Sequence, residues 1–344
     1  MKRNVKPEYS TSRINKAGKN IRKSQATEED VRVLENWRGA HNKILNDWQS
    51  SLRQRCKGKN IVFGQRLKKR ETIENKLVRY PQMGLATMQD LAGCRLVFEN
   101  LADLNDFRKK LHSKSKMKHI RQKAGIVPYP YDYIAAPHPD NSGYRAIHDI
   151  YKYQALSNKP TDWNGLHVEI QYRTKCQHAW ATAVEVAASI TGNHTKFNQG
   201  DELQKEFFRL ASELIARAHE NMKSCFPDLS DTELKERFED IEGQIHLLRS
   251  LKNLTLVGQE TSFKGKNIIL VFSETDKTLE VHYYASPIQA TEEYSRLEKM
   301  YGTERDIVFV KATSLENLRE AYRNYFLDTK EFTNLIESAL REIK

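Results

Sequence analysis

Residues 168–174 read VEIQYRT, a short segment in which apolar and polar residues alternate. Successive side chains of a β-strand point to opposite faces of its sheet. One face would then carry only apolar side chains, those of Val168, Ile170 and Tyr172. The other face would carry a carboxylate, an amide and a guanidinium, those of Glu169, Gln171 and Arg173. We therefore predict a strand with a core face and a chemical face.

The segments around this strand predict an α+β fold in which helices flank a mixed sheet. Strand-like patterns occur at 60–64, 94–100, 145–153 and 165–173. Helices are predicted over 27–55, in the segment that ends before Pro81, and over 102–123, 174–190 and 201–226. A Pro- and Tyr-rich segment before residue 145 predicts a long loop, and loops of this kind are commonly functional.

The chain is long enough for two domains, because 344 residues exceed the size of most single cores. We predict a first domain over 1–228 and a second over 229–344, separated after Pro227. Ser230 and Glu233 have the spacing of a capping box for the helix that opens the second domain. The strand-like segments NLTLVG, KNIILVF, TLEVHYY and DIVFV, with two further helices, predict a small α+β domain there.

Composition excludes several classes of protein. The four cysteines lie far apart without a CxxC pair, which favours a reduced, cytoplasmic protein over a disulfide scaffold. No Cys/His cluster follows residue 230, so no zinc site is expected. No apolar run is long enough to cross a membrane, so no membrane-spanning segment is expected.

Positive charge is concentrated in two places. Residues 1–70 hold 19 Lys/Arg against 6 Asp/Glu, and residues 108–123 hold eight Lys/Arg without an acidic residue. Such clusters favour a polyanionic partner, although a merely solvated surface is the alternative for each. We interpret residues 1–27 as a flexible basic arm, with an organelle transit peptide as the alternative.

Three cationic residues follow the first strand-like segment. Arg66, Lys68 and Lys76 form a set suited to a triphosphate, for which charge-assisted hydrogen bonds are the strong contacts. The chain has no GxxxxGK[ST] motif, so side chains would have to form the phosphate site.

Two carboxylates and one tyrosine complete the candidate site. Asp90 precedes a strand and Glu169 lies on another, positions that suit Mg²⁺ binding and a base for a hydroxyl nucleophile. Tyr144 follows Gly143 at a loop tip, where its ring could stack on a nucleobase.

In this order, the motifs resemble those of the RelA/SpoT synthetases, ATP-dependent pyrophosphokinases that make (p)ppGpp, over roughly residues 30–220. The matching segments are Arg66 to Lys76, with Thr72 where the family has Ser, then Asp90 to Arg95, Gly143 to His148, and Glu169 to Thr174. The resemblance implies attack of a ribose 3′-oxygen on the β-phosphorus of ATP, with AMP leaving. It further implies particular roles. Asp90 and Glu169 would hold Mg²⁺, and Glu169 would also place or deprotonate the hydroxyl. Contacts to ATP would come from Arg66, Lys68, Lys76, Arg95, Gln171 and Arg173, and contacts to the acceptor from Tyr144, Arg145 and His148.

The chain departs from the alarmone synthetases in two segments. HPDNS precedes Gly143 where many synthetases have a shorter sequence, and HAWATAVEV lacks the Glu-His pair often found there. QHAWATAVE resembles instead the toxic small synthetases that modify the 3′-CCA end of tRNA. With the basic clusters, this favours a tRNA acceptor over GTP or GDP.

The layout of the whole chain is similar to the CapRel type of fused toxin and antitoxin. In that family a pseudo-zinc-finger domain without metal ligands inhibits the synthetase until a phage protein, typically the major capsid protein, binds it. The resemblance implies that Tyr322 and Tyr325 occlude the ATP site, in a role in antiviral defence. Their spacing alone also suits ordinary core tyrosines.

Three other functions remain open on the sequence. The first is a (p)ppGpp synthetase that uses GTP or GDP. The second is an inactive RNA-binding module, which would not need Asp90 and Glu169 beside a phosphate site. The third is a polymerase-β-like nucleotidyltransferase, which would need two carboxylates one residue apart on a strand near a Gly-Ser motif.

Overall fold

The computed structural model describes residues 5–114, 120–121, 131–136, 138, 141–154, 161–190, 199–257, 267–273, 278–301, 305–311 and 315–343. The chain divides into two compact units. The first comprises Met1–Ala136 and Arg145–Lys175, and the second comprises Pro137–Tyr144 and Cys176–Lys344. This division is by packing, and the functional boundary between 228 and 229 stays a prediction.

The first unit contains four helices and six strands among the described residues. The helices are α1 (Thr11–Arg22), α2 (Glu28–Cys56), α3 (Arg70–Arg79) and α4 (Leu101–Lys114). The strands are β1 (Ile61–Leu67), β2 (Ala92–Phe98), β3 (Ile120–Arg121), β4 (Tyr131–Asp132), β5 (Ile147–Lys152) and β6 (His167–Thr174). Five strands follow the order β1-β2-β6-β5-β3, and β4 pairs with β5. Only β2 and β6 run parallel among these pairs, so the sheet is mixed, as predicted.

The sheet has the two faces that the alternation in β6 predicts. Side chains of β1, β2, β5 and β6 pack on one face against α2 and α4, in a core that includes Trp48, Phe98 and Tyr172. Val168 and Ile170 are fully buried in this core. The core face therefore holds the helices, and the opposite side of the same strands is the chemical face.

Residues 11–22 contradict the prediction of a flexible basic arm, because they form α1. The hydroxyl of Ser10 caps this helix by accepting from the backbone N–H of Arg13 at 3.3 Å. Ile14, Ala17 and Ile21 lie buried on one side of α1. This stripe was missed because lysines and arginines separate its apolar members. The described part of the N-terminal region is thus an ordered helix.

The junction of α1 and α2 is held by Asp30. Thr27 and Asp30 form a capping box at the start of α2. Asp30 also accepts from Arg13 at 2.7 Å and from Asn20 at 2.9 Å. The amide of Asn20, the cap and the guanidinium of Arg13 lower the pKa of Asp30 well below its usual range, although burial opposes this. The carboxylate therefore stays ionised while buried.

An ion-pair cluster connects α4 to the core face of the sheet. Asp149 on β5 is fully buried and accepts two hydrogen bonds from Arg108, at 2.8 and 2.9 Å. His112 Nε2 lies 2.8 Å from the same carboxylate. Arg108 therefore pairs with a buried carboxylate of the core. The expectation that the basic run binds a polyanion is wrong for this residue. Residues 115–119 and 122–123 of that run lie outside the described residues.

The second unit contains six helices and three strands among the described residues. The helices are α5 (Lys175–Ile190), α6 (Gln199–Glu220), α7 (Asp231–Ile245), α8 (Leu247–Val257), α9 (Pro287–Tyr301) and α10 (Leu315–Glu342). The strands β7 (Asn267–Ser273), β8 (Thr278–Tyr284) and β9 (Arg305–Lys311) form an antiparallel sheet in the order β8-β7-β9. The capping box of Ser230 and Glu233 is confirmed at the start of α7.

One predicted strand of the second unit is wrong. The segment NLTLVG was predicted as a strand, but its first five residues end α8. Leu247 and Leu251 are buried in the core that α6 and α7 share, and this packing overrides the β preference of the Thr and Val residues. No helix among the described residues is both long and apolar enough to cross a membrane.

Candidate active site

Four strands bring the predicted site residues together on the chemical face. In one row, Arg66 on β1 pairs with Gly93 on β2, which pairs with Glu169 on β6. In the next row the paired residues are Gly64, Arg95, Gln171 and His148. Directly paired residues on neighbouring strands point to the same side of a sheet. The chemical face therefore carries both rows, with Arg66 exposed and Glu169 buried.

Glu169 is held by one partner on each carboxylate oxygen. His148 Nδ1 lies 3.0 Å from Oε1, and Gln171 Nε2 donates to Oε2 at 2.6 Å. Burial alone would raise the pKa of Glu169. The contact with His148, the amide of Gln171 and the charge of Lys76 outweigh it and lower the pKa to about 2. Glu169 is therefore an oriented carboxylate at every physiological pH.

Asp90 forms a second cluster with two ammonium groups. Lys68 Nζ and Lys76 Nζ both donate to the same oxygen of Asp90, Oδ2, at 2.6 and 2.7 Å. The side chain of Lys68 is only 7% exposed, which makes this a largely desolvated contact. Burial, followed by the charges of Lys76 and Arg66, lowers the pKa of Lys68 against the opposing effect of Asp90. Two of the three cationic residues predicted for phosphate binding, Lys68 and Lys76, thus contact one carboxylate.

Local structure fixes Lys68 at the end of β1. Its backbone N–H donates to the carbonyl of Leu91 at 2.8 Å, which extends the pairing of β1 with β2. Arg38 Nε on α2 donates to the carbonyl of Lys68 at 2.7 Å. Lys76 comes from α3, whose buried Ile73 and Leu77 leave it turned toward Asp90. The positions of both ammonium groups therefore follow from ordinary packing.

The residues present fit a magnesium ion at Asp90. Oδ1 of Asp90 is buried and makes no hydrogen bond within the described residues, so one oxygen is left for a ligand. Mg²⁺ in nucleotide sites is commonly bound by one or two carboxylates together with phosphate oxygens. Both oxygens of Glu169 already have partners, so its predicted role as a second metal ligand stays a prediction. No cluster of three or more metal-ligating side chains occurs among the described residues.

Two glycines leave open space on the chemical face. A Cβ at Gly93 would meet only the carbonyl oxygens of Arg66 and Glu169, at 4.0 Å, and one at Gly64 would meet nothing within 4 Å. Glycine within a strand commonly marks a place where a ligand approaches the backbone. Gly93 separates the guanidinium of Arg66 from the carboxylate of Glu169. Gly93 was not among the predicted site residues, although its place in the motif DLAGCR, next to a strand-like segment, was a signal.

The remaining predicted residues differ in their environments. Arg95 is half-buried on the chemical face, beside Gln171. Arg145 and Arg173 are buried, with 3% and 5% of their surface exposed. Their predicted contacts to the acceptor and to ATP are not tested, and they stay predictions.

Tyr144 belongs to the second unit. Its ring makes edge contact with His138 at 5.9 Å and lies 6.4 Å from Trp180, between centroids. The preceding Gly143 has a φ of 82°, and its carbonyl accepts from Ser212 at 2.6 Å. Stacking of Tyr144 on an acceptor base stays a prediction. Tyr322 and Tyr325 lie in α10, and their side chains are outside the described residues.

One family model matches the part of the chain that holds this site. Residues 65–191 match the model of a region found in RelA / SpoT proteins, a span that includes Asp90, Glu169 and both lysines. No protein of curated function matches the chain.

Several solved structures are similar to the chain at low identity. A GTP pyrophosphokinase family protein from Streptococcus pneumoniae is 23% identical, over 50% of this chain and 84% of its own, with a TM-score of 0.36. Small alarmone synthetase 1 from Bacillus subtilis is 21% identical, over 64% of this chain and 99% of its own, with a TM-score of 0.39. Its structure bound to pppGpp is 21% identical, over 54% and 92%, with a TM-score of 0.40.

The family match defines the class of this domain. The match is limited to residues 65–191, and it identifies that span as a RelA/SpoT-type synthetase domain, an ATP-dependent pyrophosphotransferase domain.

Proposed function

We propose that this domain transfers the pyrophosphate of ATP to the 3′-hydroxyl of the terminal adenosine of tRNA. The observation that carries the proposal is the pairing, on the chemical face, of a cationic cluster with a separately held carboxylate. Lys68 and Lys76 supply the charge that a triphosphate needs. Glu169 supplies an acceptor for the hydrogen bond of an incoming hydroxyl.

In the proposed reaction the ribose 3′-oxygen forms a bond to the β-phosphorus of ATP. The bond between that phosphorus and the oxygen bridging to the α-phosphorus breaks, and AMP leaves. The hydroxyl proton passes to solvent, because a carboxylate with a pKa of about 2 is a poor site for it to rest. Orientation of the nucleophile and neutralisation of phosphate charge supply most of the rate enhancement. Mg²⁺ bound at Asp90 would add to that neutralisation.

A tRNA acceptor is supported by exposed positive charge on α1. Lys16 and Lys19 on α1 and Lys23 at its C-cap are exposed, while Ile14, Ala17 and Ile21 on the same helix are buried. Because the buried face anchors the helix, the backbone positions of these lysines are fixed. Phosphate contacts remote from the reacting adenosine would hold a tRNA, whereas GTP and GDP would not need them.

A guanosine nucleotide is the second candidate acceptor. The similar solved proteins include a GTP pyrophosphokinase family protein and a synthetase bound to pppGpp. The two candidates separate when the protein, with Tyr322 and Tyr325 replaced by alanine to relieve the inhibition proposed below, is incubated with γ-³²P-labelled ATP and GDP, GTP, tRNA, or tRNA lacking its terminal adenosine. Label on intact tRNA alone supports the proposal. Label on GDP or GTP, with none on tRNA, overturns it.

We further propose that residues 229–344 inhibit the synthetase until a phage protein, such as a major capsid protein, binds them. This extends the resemblance to fused toxin–antitoxin proteins of antiviral defence, with Tyr322 and Tyr325 as the inhibitory residues. A trigger acts by binding the open state more tightly than the closed one. Replacing both tyrosines with alanine should give activity without a trigger. Continued inactivity of a folded variant, with activity restored by a phage lysate, would overturn the role of the tyrosines.

A further inference from the structure

We propose that the ion pairs of Lys68 and Lys76 with Asp90 keep free divalent cations from this carboxylate, so that divalent cations bind this site only together with ATP. The inference rests on the proposed use of ATP. It concerns the order in which the charged partners meet, and not the transfer reaction itself.

The argument begins with the arrangement of atoms at Asp90. Two ammonium groups share the single oxygen Oδ2, at 2.6 and 2.7 Å, while Oδ1 is buried without a hydrogen-bond partner among the described residues. One carboxylate thus faces two lysines, and the three groups together carry a net positive charge. Lys68 and Asp90 are mostly buried, with side-chain exposures of 7% and 17%, so solvent screens their charges little.

This net charge has opposite effects on the two ligands. A free divalent cation that approached Oδ1 would be repelled by two ammonium groups, and Asp90 alone offers one oxygen to attract it. A polyphosphate would be attracted by the same ammonium groups. The resting site therefore selects the anion first.

Nucleotide binding then changes the partners of each group. Phosphate oxygens can accept the hydrogen bonds of Lys68 and Lys76, which releases Oδ2 of Asp90. Asp90 then offers both oxygens to a metal ion that also binds the phosphates. Because coupling between two ligands is reciprocal, the metal must tighten nucleotide binding by the same factor.

Manganese is a suitable probe, because the electron paramagnetic resonance signal of free Mn²⁺ reports the bound fraction without any turnover. The full chain, with Tyr322 and Tyr325 replaced by alanine so that the proposed occlusion of the ATP site is removed, is titrated with Mn²⁺, with and without the non-hydrolysable analogue α,β-methylene-ATP. We expect Mn²⁺ to bind the complex of protein and analogue at least roughly tenfold more tightly than it binds either the free protein or the free analogue. The affinities of the two free components are measured separately. Equal or tighter saturable binding to the free protein would overturn the inference.

Substitution of the lysines gives a second test. Lys68→Met and Lys76→Met keep most of the side-chain volume and remove one positive charge each. Each should raise the Mn²⁺ affinity of the free protein by roughly tenfold or more, since an opposing charge next to the carboxylate is lost. Lys76 is partly exposed, so its variant remains informative even if Lys68→Met does not fold. Unchanged affinity in a folded Lys76→Met protein would contradict the proposal.

Two controls assign the effect to Asp90. Adding Asp90→Asn to Lys76→Met should abolish the gain in affinity. Lys43→Met removes a 2.6 Å ion pair with Asp47 on α2, away from the site, and should leave Mn²⁺ binding as in the wild type. Calorimetry of the analogue alone, in EDTA, separates this inference from the proposed function. Absence of nucleotide binding would count against the proposed ATP site. The Mn²⁺ affinity of the lysine variants tests whether the two lysines repel metal from Asp90, whether or not the nucleotide binds.

Discussion

Gln171 donates from Nε2 to Oε2 of Glu169 at 2.6 Å, between two residues that are two positions apart on one strand. The contact is possible because alternate residues of β6 share a face. With His148 on the other oxygen, it leaves the carboxylate ionised and fixed in orientation. The orientation of this carboxylate therefore depends on which residues share a face of the sheet.

Glu169→Gln should abolish turnover and leave binding of α,β-methylene-ATP within about twofold of wild type. The amide keeps the size of the side chain, but it removes the negative charge that faces the hydroxyl. Single-turnover transfer and calorimetry measure the two properties. Near-normal transfer by the variant would refute the assigned role.

His148→Ala should raise the pKa of Glu169, so that kcat/KM falls at acidic pH as this carboxylate becomes protonated. Burial favours the neutral acid, and His148 is the largest opposing influence. In the wild type the lowered pKa means that the contribution of Glu169 to stability is present above its ordinary pKa of 4.5. That contribution is lost as the pH falls through about 2. The wild-type rate should therefore show no Glu169 limb from about pH 5 to 8.

The comparison of kcat/KM profiles of the two proteins tests this directly. Gln171→Ala, which removes a smaller influence on the same carboxylate, should produce a smaller displacement of the acid limb. A His148→Ala profile parallel to that of the wild type would mean that His148 does not act through Glu169.

Gly93→Ala should reduce kcat/KM by about 100-fold, because a methyl group would occupy the space between Arg66 and Glu169 where reacting groups must lie. The strand should tolerate the change, since an added Cβ meets no atom closer than 4.0 Å. Gly64→Ala, on the same face but outside that space, is the matched control and should retain most activity. Equal activity of the two variants would exclude close approach of substrate at Gly93.

Arg108→Ala should destabilise the first unit by about 3 kcal/mol, because it removes two charge-assisted hydrogen bonds from buried Asp149 and leaves His112 as its partner. Urea unfolding measures this loss. Lys109→Ala is the control, since Lys109 is the exposed neighbour on α4 and should change stability little. Similar unfolding midpoints for both variants would argue that Arg108 faces solvent in solution.

Replacing Lys16, Lys19 and Lys23 by glutamate in one variant should raise the KM for tRNA and make that KM less dependent on salt concentration. Each phosphate contact contributes roughly 0.7–0.9 to the slope of log affinity against log salt. Transfer to a CCA trinucleotide, which lacks the backbone phosphates of the rest of the tRNA, is the comparison and should be affected less. A variant with wild-type KM for tRNA would remove α1 from the acceptor site.

Much of this arrangement was predictable from the sequence because the signals are local. Alternation along β6 predicted both faces of the sheet, and the spacing of Ser230 and Glu233 predicted the start of α7. The order of motifs predicted the synthetase region that the family match supports. Such features depend on residues close together in the chain.

Features that depend on distant residues were missed. The apolar stripe of α1 is short and interrupted by charge, so only its packing against residues such as Leu85 identifies it. The segment NLTLV has β-forming residues, yet it packs as helix α8. The shared contacts of Asp90 with Lys68 and Lys76 join three separate elements, and no spacing rule predicts which oxygen they use.

A crystal structure of the protein with Tyr322 and Tyr325 replaced by alanine, bound to α,β-methylene-ATP and Mg²⁺, tests the central claim most directly. We predict that the polyphosphate lies within hydrogen-bond distance of Lys68 and Lys76, with Asp90 bound to the metal and Glu169 beside the β-phosphorus. A nucleotide bound elsewhere, with both lysines still paired to Asp90, would contradict the account.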